Sequence, residues 1–274
     1  MQDPSKPIWF DKEKKPQTKD KPKSKFSIFV ATPVHSDVSI HYFQACLEFQ
    51  KFCMKRDVLA SFQVMKSSLV TQGRNLCVSS FMESEHTHLL FVDSDIDFQA
   101  QSIFKMVAAD KDIISVPYPL KQLMWDKAWE RISKGNINNP KDLKYKGLYT
   151  YPMKVQDEKD IRVKDGVIEV THSPTGCMLI KREVIEKMIK AYPEKEIVQK
   201  SVINGELIKV PYLYNLFDTE FDPKTKNYLG EDFAFCKRWK EIGGKCYALI
   251  TDRITHAGEH QYRGCFADEL IKTE

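Results

Sequence analysis

His88-Leu-Leu-Phe-Val-Asp93-Ser-Asp95-Ile-Asp97 is the stretch of sequence that decides the fold. Its first half is an uncharged, mostly apolar run. That run is long enough for a strand and far shorter than the ~18 residues of a membrane span. Strands that are apolar throughout are typical of parallel sheets covered on both faces. Three aspartates at alternate positions follow directly. The stretch therefore predicts a buried strand with an acidic site at its carboxyl end.

Strands and helices alternate on both sides of this stretch. We predict strands over 26–31 (followed by a loop at Thr32-Pro33), 58–65, 88–92 and 113–116, and helices over 37–55, 72–83 and 100–109. In the first helix, Ile40, Phe43, Leu47 and Met54 recur at helical spacing and define its expected apolar face. This alternation predicts an α/β domain with a mostly parallel central sheet and helices on both faces.

The second half of the chain departs from the regular alternation. We predict an insertion or lid over 118–170 with a hairpin near 164–166, a strand over 178–180, a helix over 182–190, loop with one short hairpin over 194–229, a helix over 231–242 and a strand over 246–250. Gly243-Gly244 is expected to end the 231–242 helix. One domain over 26–262, with a small insertion on its acceptor side, accommodates all of these elements.

The positive charge of the chain lies in its first residues. The net charge is +4, and residues 1–25 alone hold eight lysines against four acidic residues, so the remainder is neutral. We predict that residues 1–25 are a disordered, Lys- and Pro-rich leader and that 263–274 is a C-terminal tail. A nucleic-acid-binding protein carries its positive charge on a folded face, so nucleic acid is not the expected partner.

Cysteine usage indicates the compartment. The chain has seven cysteines, an odd number without any C-x-x-C spacing, and most lie in apolar segments. This favours free buried thiols in a reducing compartment over disulfides or zinc. Neither a secretory signal nor a membrane span is visible, so we expect a soluble cytoplasmic protein. The sequence also lacks G-x-x-x-x-G-K-[ST], G-x-G-x-x-G and G-x-S-x-G motifs, which disfavours NTPases, dinucleotide oxidoreductases and the usual α/β-hydrolases.

The acidic stretch itself points to a cation. In an extended chain Asp93 and Asp95 point the same way and converge at the edge of the sheet. Two converging carboxylates repel each other unless a cation neutralises them, and a hard divalent ion shared with a diphosphate fits best. The alternative is an acidic turn that caps the following helix, with Asp97 near the cap position.

Four further motifs accompany the acidic stretch, and together they resemble a known family. They are Val30-Ala31-Thr32-Pro33, Gln72-Gly73-Arg74-Asn75, Gly230-Glu231-Asp232-Phe233 and Thr255-His256-Ala257-Gly258. In this order and spacing, over about residues 26–262, the chain resembles the nucleotide-sugar-dependent glycosyltransferases of the GT-A fold. Within that family it is similar to sugar transferases encoded by large DNA viruses and phages.

The resemblance implies a donor site and a metal site. It places the nucleotide of a UDP-sugar against Thr32, Pro33, Arg74, Asn75, Asp93 and Ser94, and a metal ion on Asp95, Asp93 and His256. In this assignment Asp95 binds the metal directly, and Asp93 lies nearer the ribose or a metal-bound water. Mixed oxygen and nitrogen ligands suit Mn²⁺ better than Ca²⁺, with Mg²⁺ as the other choice.

The Glu231-Asp232 pair carries the expected catalysis. We assign Asp232 as the general base of an inverting transfer and Glu231 as an acceptor ligand, although the two could exchange roles. Favourable placement at a helix N-terminus is the alternative reason for this pair, and a retaining enzyme would need no such base. The expected function is metal-dependent transfer of a sugar from a UDP-sugar to a hydroxyl of a glycan or glycoprotein. Two alternatives are a sugar-binding module of the same fold and a metal-dependent nucleotidyltransferase.

Overall fold

The computed structural model describes residues 25–143, 148–157, 160–203 and 206–259. The strands are β1 (Ser27–Val34), β2 (Leu59–Lys66), β3 (His88–Val92), β4 (Ile96–Asp97), β5 (Ile113–Ser115), β6 (Val167–Val170), β7 (Cys177–Lys181), β8 (Lys200–Ile203), β9 (Glu206–Lys209), β10 (Glu220–Asp222), β11 (Asn227–Leu229), β12 (Cys246–Leu249) and β13 (Thr255–His256). The helices are α1 (Ile40–Met54), α2 (Val70–Glu83), α3 (Ala100–Ala108), α4 (Trp125–Ser133), α5 (Pro140–Leu143), α6 (Arg182–Ala191) and α7 (Glu231–Glu241). The predicted leader, except Lys25, and the predicted tail lie outside the described residues.

A seven-stranded sheet in the order β2-β1-β3-β7-β5-β12-β6 forms the centre of the domain. β1 pairs in parallel with β2 and β3, and β5 pairs in parallel with β12. β7 lies antiparallel between β3 and β5, and β6 is antiparallel to β12 at one edge. Five of the seven strands therefore run in one direction, which confirms the predicted α/β class with a mostly parallel sheet.

Helices cover both faces of this sheet, as predicted. Alternate residues of a strand point to opposite faces, so Phe29 and Phe91 enter a cluster with α2, α6 and α7, whereas Val30 and Leu90 enter a second cluster with α1 and α3. Each cluster is made of side chains that are almost fully buried. This two-sided burial explains why β1, β3 and β7 read as continuous apolar runs.

Two predictions for the first βα unit are wrong. Thr32 and Pro33 do not form a loop, because the parallel register of β1 with β2 continues as far as Val34 opposite Lys66. The apolar stripe of α1 does not face the sheet either, since Leu47 is 54% exposed and a different set of residues forms the core side of the helix. Those core residues are Tyr42, Ala45, Cys46, Phe49 and Cys53.

The second half of the chain completes the sheet. The segment predicted as an insertion ends in β6, which pairs with β12 and so belongs to the sheet edge. The region 194–229 holds two hairpins, β8 with β9 and β10 with β11, rather than the single hairpin predicted. α7 begins at Glu231 as predicted, and Gly243 follows it with φ +89°, a left-handed conformation that ends helices readily.

The cysteines behave as the sequence predicts. The six that fall in the described ranges are buried and free. Burial raises the pKa of the Cys46 thiol to about 11 and that of Cys77 to about 12, so both remain protonated at neutral pH. Within the same ranges, every helix is too short or too polar to cross a bilayer.

Candidate active site

A cleft of about 610 Å³ opens where the parallel strands end. β1 contributes Pro33, the segment after β2 contributes Ser67 and Ser68, and the turn after β3 contributes Asp93 and Asp95. The carboxyl ends of neighbouring parallel strands meet at one edge of a sheet, which is where ligands bind in such folds. The cleft therefore lies where the strand order of the sequence predicts a ligand site.

The acidic motif forms a tight turn rather than an extended strand. Ile96 N–H donates to the carbonyl of Asp93, and the backbone of Asp93 is tied to Gly176. The turn sends the two carboxylates to different cations, Asp93 to Arg74 and Asp95 to Lys121. The backbone at Asp93–Asp95 is therefore a turn and not the extended chain that the sequence predicts.

Arg74 joins the two acidic motifs. Its Nη2 donates to Asp93 Oδ1 at 2.9 Å and its Nε donates to Glu231 Oε1 at 3.2 Å. The Arg74 side chain is only 3% exposed, and Nη1 has no hydrogen-bond partner among the described residues. Burial lowers the pKa of Arg74, but the two carboxylates outweigh this and raise it, so the guanidinium stays charged. One buried cation thus connects the turn after β3 with the start of α7.

Asp232 is the carboxyl group of the site whose pKa is raised. Burial, together with the neighbouring Glu231 charge, raises the pKa of Asp232 from 3.8 to about 6, although Phe233 N–H donates to its Oδ1 at 2.8 Å and lowers it. Gly230 leaves room for this carboxylate, since a Cβ there would lie 3.1 Å from Oδ1. A carboxyl with a pKa near neutrality is suited to take a proton. Asp232 is not itself part of the cleft lining, but two lining residues, Arg74 and Tyr118, are close enough to interact with it electrostatically.

Asp95 and His256 are brought together by chain segments that are far apart in sequence. β13 pairs antiparallel with β4, which places His256 opposite Ile96 and its Nε2 3.4 Å from Asp95 Oδ2. Nδ1 of His256 donates to the carbonyl of Pro119 at 2.9 Å, which fixes the ring so that Nε2 is directed at the Asp95 carboxylate. This is the orientation that a metal-binding histidine usually has.

Lys121 also forms an ion pair with Asp95, in which its Nζ lies 2.5 Å from Oδ2. Burial raises the pKa of Asp95, but the hydrogen bonds from His256 and Lys121 outweigh it and lower the pKa to about 2. The stem of Lys121 lies over Gly258, where a Cβ would come within 2.8 Å of its Cδ. The sequence analysis missed Lys121, since a lysine in an insertion carries no motif.

The fit to a divalent metal is partial. Asp95 and His256 offer one carboxylate and one imidazole that are close together, which suits Mn²⁺ or Mg²⁺ completed by phosphate oxygens. Asp93 is engaged by Arg74 instead. In the described part of the chain, no group of three or more His, Cys, Asp or Glu side chains is placed to hold a metal ion. Asp95 and His256 remain the pair around which such an ion would bind.

Tyr118 and Gly176 shape the wall of the cleft next to Asp93. A Cβ at Gly176 would lie 2.3 Å from the Tyr118 ring and 3.0 Å from Asp93 Oδ2, so only glycine fits. Burial and the charge of Asp93 raise the pKa of Tyr118, so its phenol stays neutral. The closeness of Gly176 to Asp93 depends on the antiparallel β3–β7 pairing, which places Val92 opposite Cys177.

Two predicted donor-site side chains do not face the cleft. Thr32 is buried and its hydroxyl is 2.6 Å from the Tyr42 hydroxyl. Asn75 is buried and bonds to Asn215 and to the backbone of Phe217. The other predicted residues on the donor side line the cleft. They are Pro33, Arg74, Asp93, Ser94, Asp95 and His256.

No protein-family model and no curated protein matches the sequence. Among solved structures, the chain is similar to A197 from STIV, with 17% identity, a TM-score of 0.43 and coverage of 87% of this chain and 98% of that one. A glycosyltransferase involved in glycosylation of the major capsid of PBCV-1 matches at 10% identity and a TM-score of 0.30, over 62% and 68% of the two chains. A UDP-glucose pyrophosphorylase complexed with UDP-glucose matches at 11% identity and a TM-score of 0.32, over 82% of this chain and 72% of that one.

Proposed function

We propose that the protein is a metal-dependent glycosyltransferase that moves a sugar from a UDP-sugar to a hydroxyl of a glycan acceptor, with inversion. The observation that supports this is the bridge through Arg74. It connects an acidic turn at the end of a parallel strand with a Glu-Asp pair at a helix N-terminus. In this proposal the ion pairs of Arg74 hold the donor site, at Asp93, next to the pair of residues that contains the base.

The proposed reaction uses Asp232 as the base. The Asp232 carboxylate takes the proton of the acceptor hydroxyl as that oxygen attacks the anomeric carbon. The bond from the anomeric carbon to the diphosphate oxygen breaks at the same time, and UDP leaves with the bonding electrons. Glu231, held by Arg74, accepts a hydrogen bond from another acceptor hydroxyl. The raised pKa of Asp232 fits this role, because a base is most effective when its pKa lies near the working pH.

The leaving diphosphate needs positive charge. A divalent ion held by Asp95 and His256 would neutralise the charge that develops on the leaving group. Among the chain's own groups, Arg74 lines the cleft with Nη1 unpaired in the described part of the protein, and Lys121 lies at its rim. Both cations would attract a diphosphate and hold it against the acidic turn.

Asp95→Asn tests the donor site. We expect UDP with Mn²⁺ to raise the melting temperature of the wild type by several degrees, because saturation at about 100 times Kd stabilises by about 2.7 kcal/mol. The Asn variant should lose this shift, since it removes a charged ligand. Asp97→Asn, which changes the third aspartate of the stretch, is the control and should keep it. An unchanged shift in Asp95→Asn would contradict the metal assignment.

The reaction class is tested with a panel of UDP-sugars incubated with Mn²⁺, with and without a chelator. The proposal requires slow release of UDP that the chelator suppresses. Release of pyrophosphate from a nucleoside triphosphate and a sugar phosphate would instead indicate a nucleotidyltransferase. Stabilisation by UDP-sugar without any release would indicate a sugar-binding module.

Lys121→Gln is expected to strengthen binding of Mn²⁺ alone by up to about fivefold. The ammonium of Lys121 competes for Asp95, and a partly exposed ion pair contributes up to about 1 kcal/mol. Manganese titration followed by electron paramagnetic resonance measures this affinity without any turnover. Lys127→Gln is the matched control, because the Lys127 ammonium donates to the carbonyl of Tyr149 instead. Unchanged or weaker binding in Lys121→Gln would exclude the competition.

A further inference from the structure

The apolar stripe of α1 lies beside an open sheet edge. Ile40, Phe43, Leu47 and Met54 are 50–69% exposed although they are large and apolar. At 100° per residue they share one flank of the helix. Phe52, on the other flank, packs against Phe104 of α3. The stripe therefore faces away from α3 and towards the edge of the sheet.

β2 is that edge. Within the described ranges it pairs with β1 alone, along eight residues. Phe62 and Val64 lie on the α1 side of β2, where the Phe62 ring packs against Phe49, and they are 38% and 54% exposed. The exposed apolar side chains of α1 and of the adjoining face of β2 are together called the α1–β2 patch; they are Ile40, Phe43, Leu47, Met54, Phe62 and Val64. A long apolar edge strand of this kind invites pairing with another strand.

We propose that the α1–β2 patch is the interface of a homodimer in which β2 pairs antiparallel with β2 of a second copy across a two-fold axis. This proposal is independent of the proposed function. A strand that pairs with its own copy in this way is self-complementary, which is what a two-fold interface requires. Pairing would join the two seven-stranded sheets edge to edge and cover both stripes.

The exposed area of the α1–β2 patch is consistent with a second copy of the chain as its partner. The six side chains, each roughly half exposed, present on the order of 600 Å² of apolar surface, and edge pairing adds backbone area. A standard interface buries about 800 Å² per partner. Apolar exposure of this extent is at the upper end of what single monomers carry, and such patches often serve as interaction sites.

Sedimentation velocity on the full chain, over a concentration series, tests the proposal. We expect a dimer for the wild type and a monomer for Leu47→Lys and for Val64→Lys, whose exposed positions tolerate lysine in the folded monomer. Val198→Lys replaces an apolar residue that is 72% exposed elsewhere on the surface, and it should remain a dimer. Circular dichroism of each variant confirms that it is folded.

Three results would overturn the dimer. One is a wild type that sediments as a monomer at every concentration. Another is a dimer that persists in both Leu47→Lys and Val64→Lys. The third comes from hydrogen exchange: a monomer whose β2 amides are nevertheless protected would mean that another segment of the same chain, such as residues 1–24, covers the edge.

Discussion

Asp232→Asn is expected to lower the rate of sugar transfer by about 10²–10⁴-fold and, at the same time, to raise the melting temperature at pH 7. The first effect follows from loss of the base. The second follows from burial, because the folded protein holds a carboxylate whose charged form is disfavoured there. An uncharged amide of the same shape removes that cost, so activity and stability change in opposite directions.

The sign of the stability effect follows from proton linkage. In the folded state Asp232 keeps its proton up to about pH 6, whereas the ordinary pKa of an aspartate is 3.8. The folded chain therefore binds more protons between these values, and stability falls as the pH rises through them. The full difference corresponds to roughly 3 kcal/mol above pH 6 and vanishes below pH 4. The Asp232→Asn variant should lack this loss of folding stability between pH 4 and pH 6.

Wild-type turnover gives the matching pH profile. kcat/KM should rise about tenfold per pH unit below pH 6 and level off above it, because Asp232 must be deprotonated to act. The charged and titratable groups that interact electrostatically with Asp232 include Glu231, Arg74 and Tyr118. The control is Asp222→Asn, a half-buried carboxylate at the end of β10 that bonds within its own turn, which should leave transfer unchanged. Transfer near the wild-type rate in Asp232→Asn would mean a base elsewhere or a retaining mechanism.

The fold and the place of the site could be predicted because they depend on local pattern. Apolar runs followed by polar loops locate the strand ends, and parallel strands bring these ends to one edge. The acidic site expected at the carboxyl end of the 88–92 strand lies there, because Asp93 and Asp95 line the cleft. The start of α7 at Glu231 was likewise marked by the preceding glycine.

Contacts between distant segments could not be predicted. Arg74 and Glu231 are 157 residues apart, and nothing in either motif specifies their ion pair. Lys121 reaches Asp95 from a segment without recognisable periodicity. The turn at Asp93 forms because its backbone bonds to Gly176 across the β3–β7 pairing, which depends on an antiparallel strand that enters the sheet late in the sequence. The residues missed are therefore those fixed by tertiary structure.

Arg74→Met is expected to destabilise the protein by about 3–5 kcal/mol and to abolish stabilisation by UDP with Mn²⁺. Removing the guanidinium leaves Asp93 and Glu231, which are 26% and 17% exposed, without the cation that lies between them. The cost of breaking a buried pair comes mainly from the uncompensated charge that remains. Urea denaturation gives the change in the free energy of unfolding, and thermal shift gives the loss of ligand binding.

The origin of that cost can be isolated by a second substitution. If repulsion between unpaired carboxylates is responsible, Glu231→Gln should restore part of the stability lost in Arg74→Met, although it destabilises the wild type by removing an ion pair. Arg182→Met is the control variant in which the same second substitution is made. The Arg182 guanidinium is also partly buried, but it donates to the backbone carbonyls of Phe81, Ser84 and His86 and not to carboxylates. Glu231→Gln should bring no recovery in Arg182→Met. Equal effects in both backgrounds would show that Arg74 contributes packing alone and does not couple the turn after β3 electrostatically to α7.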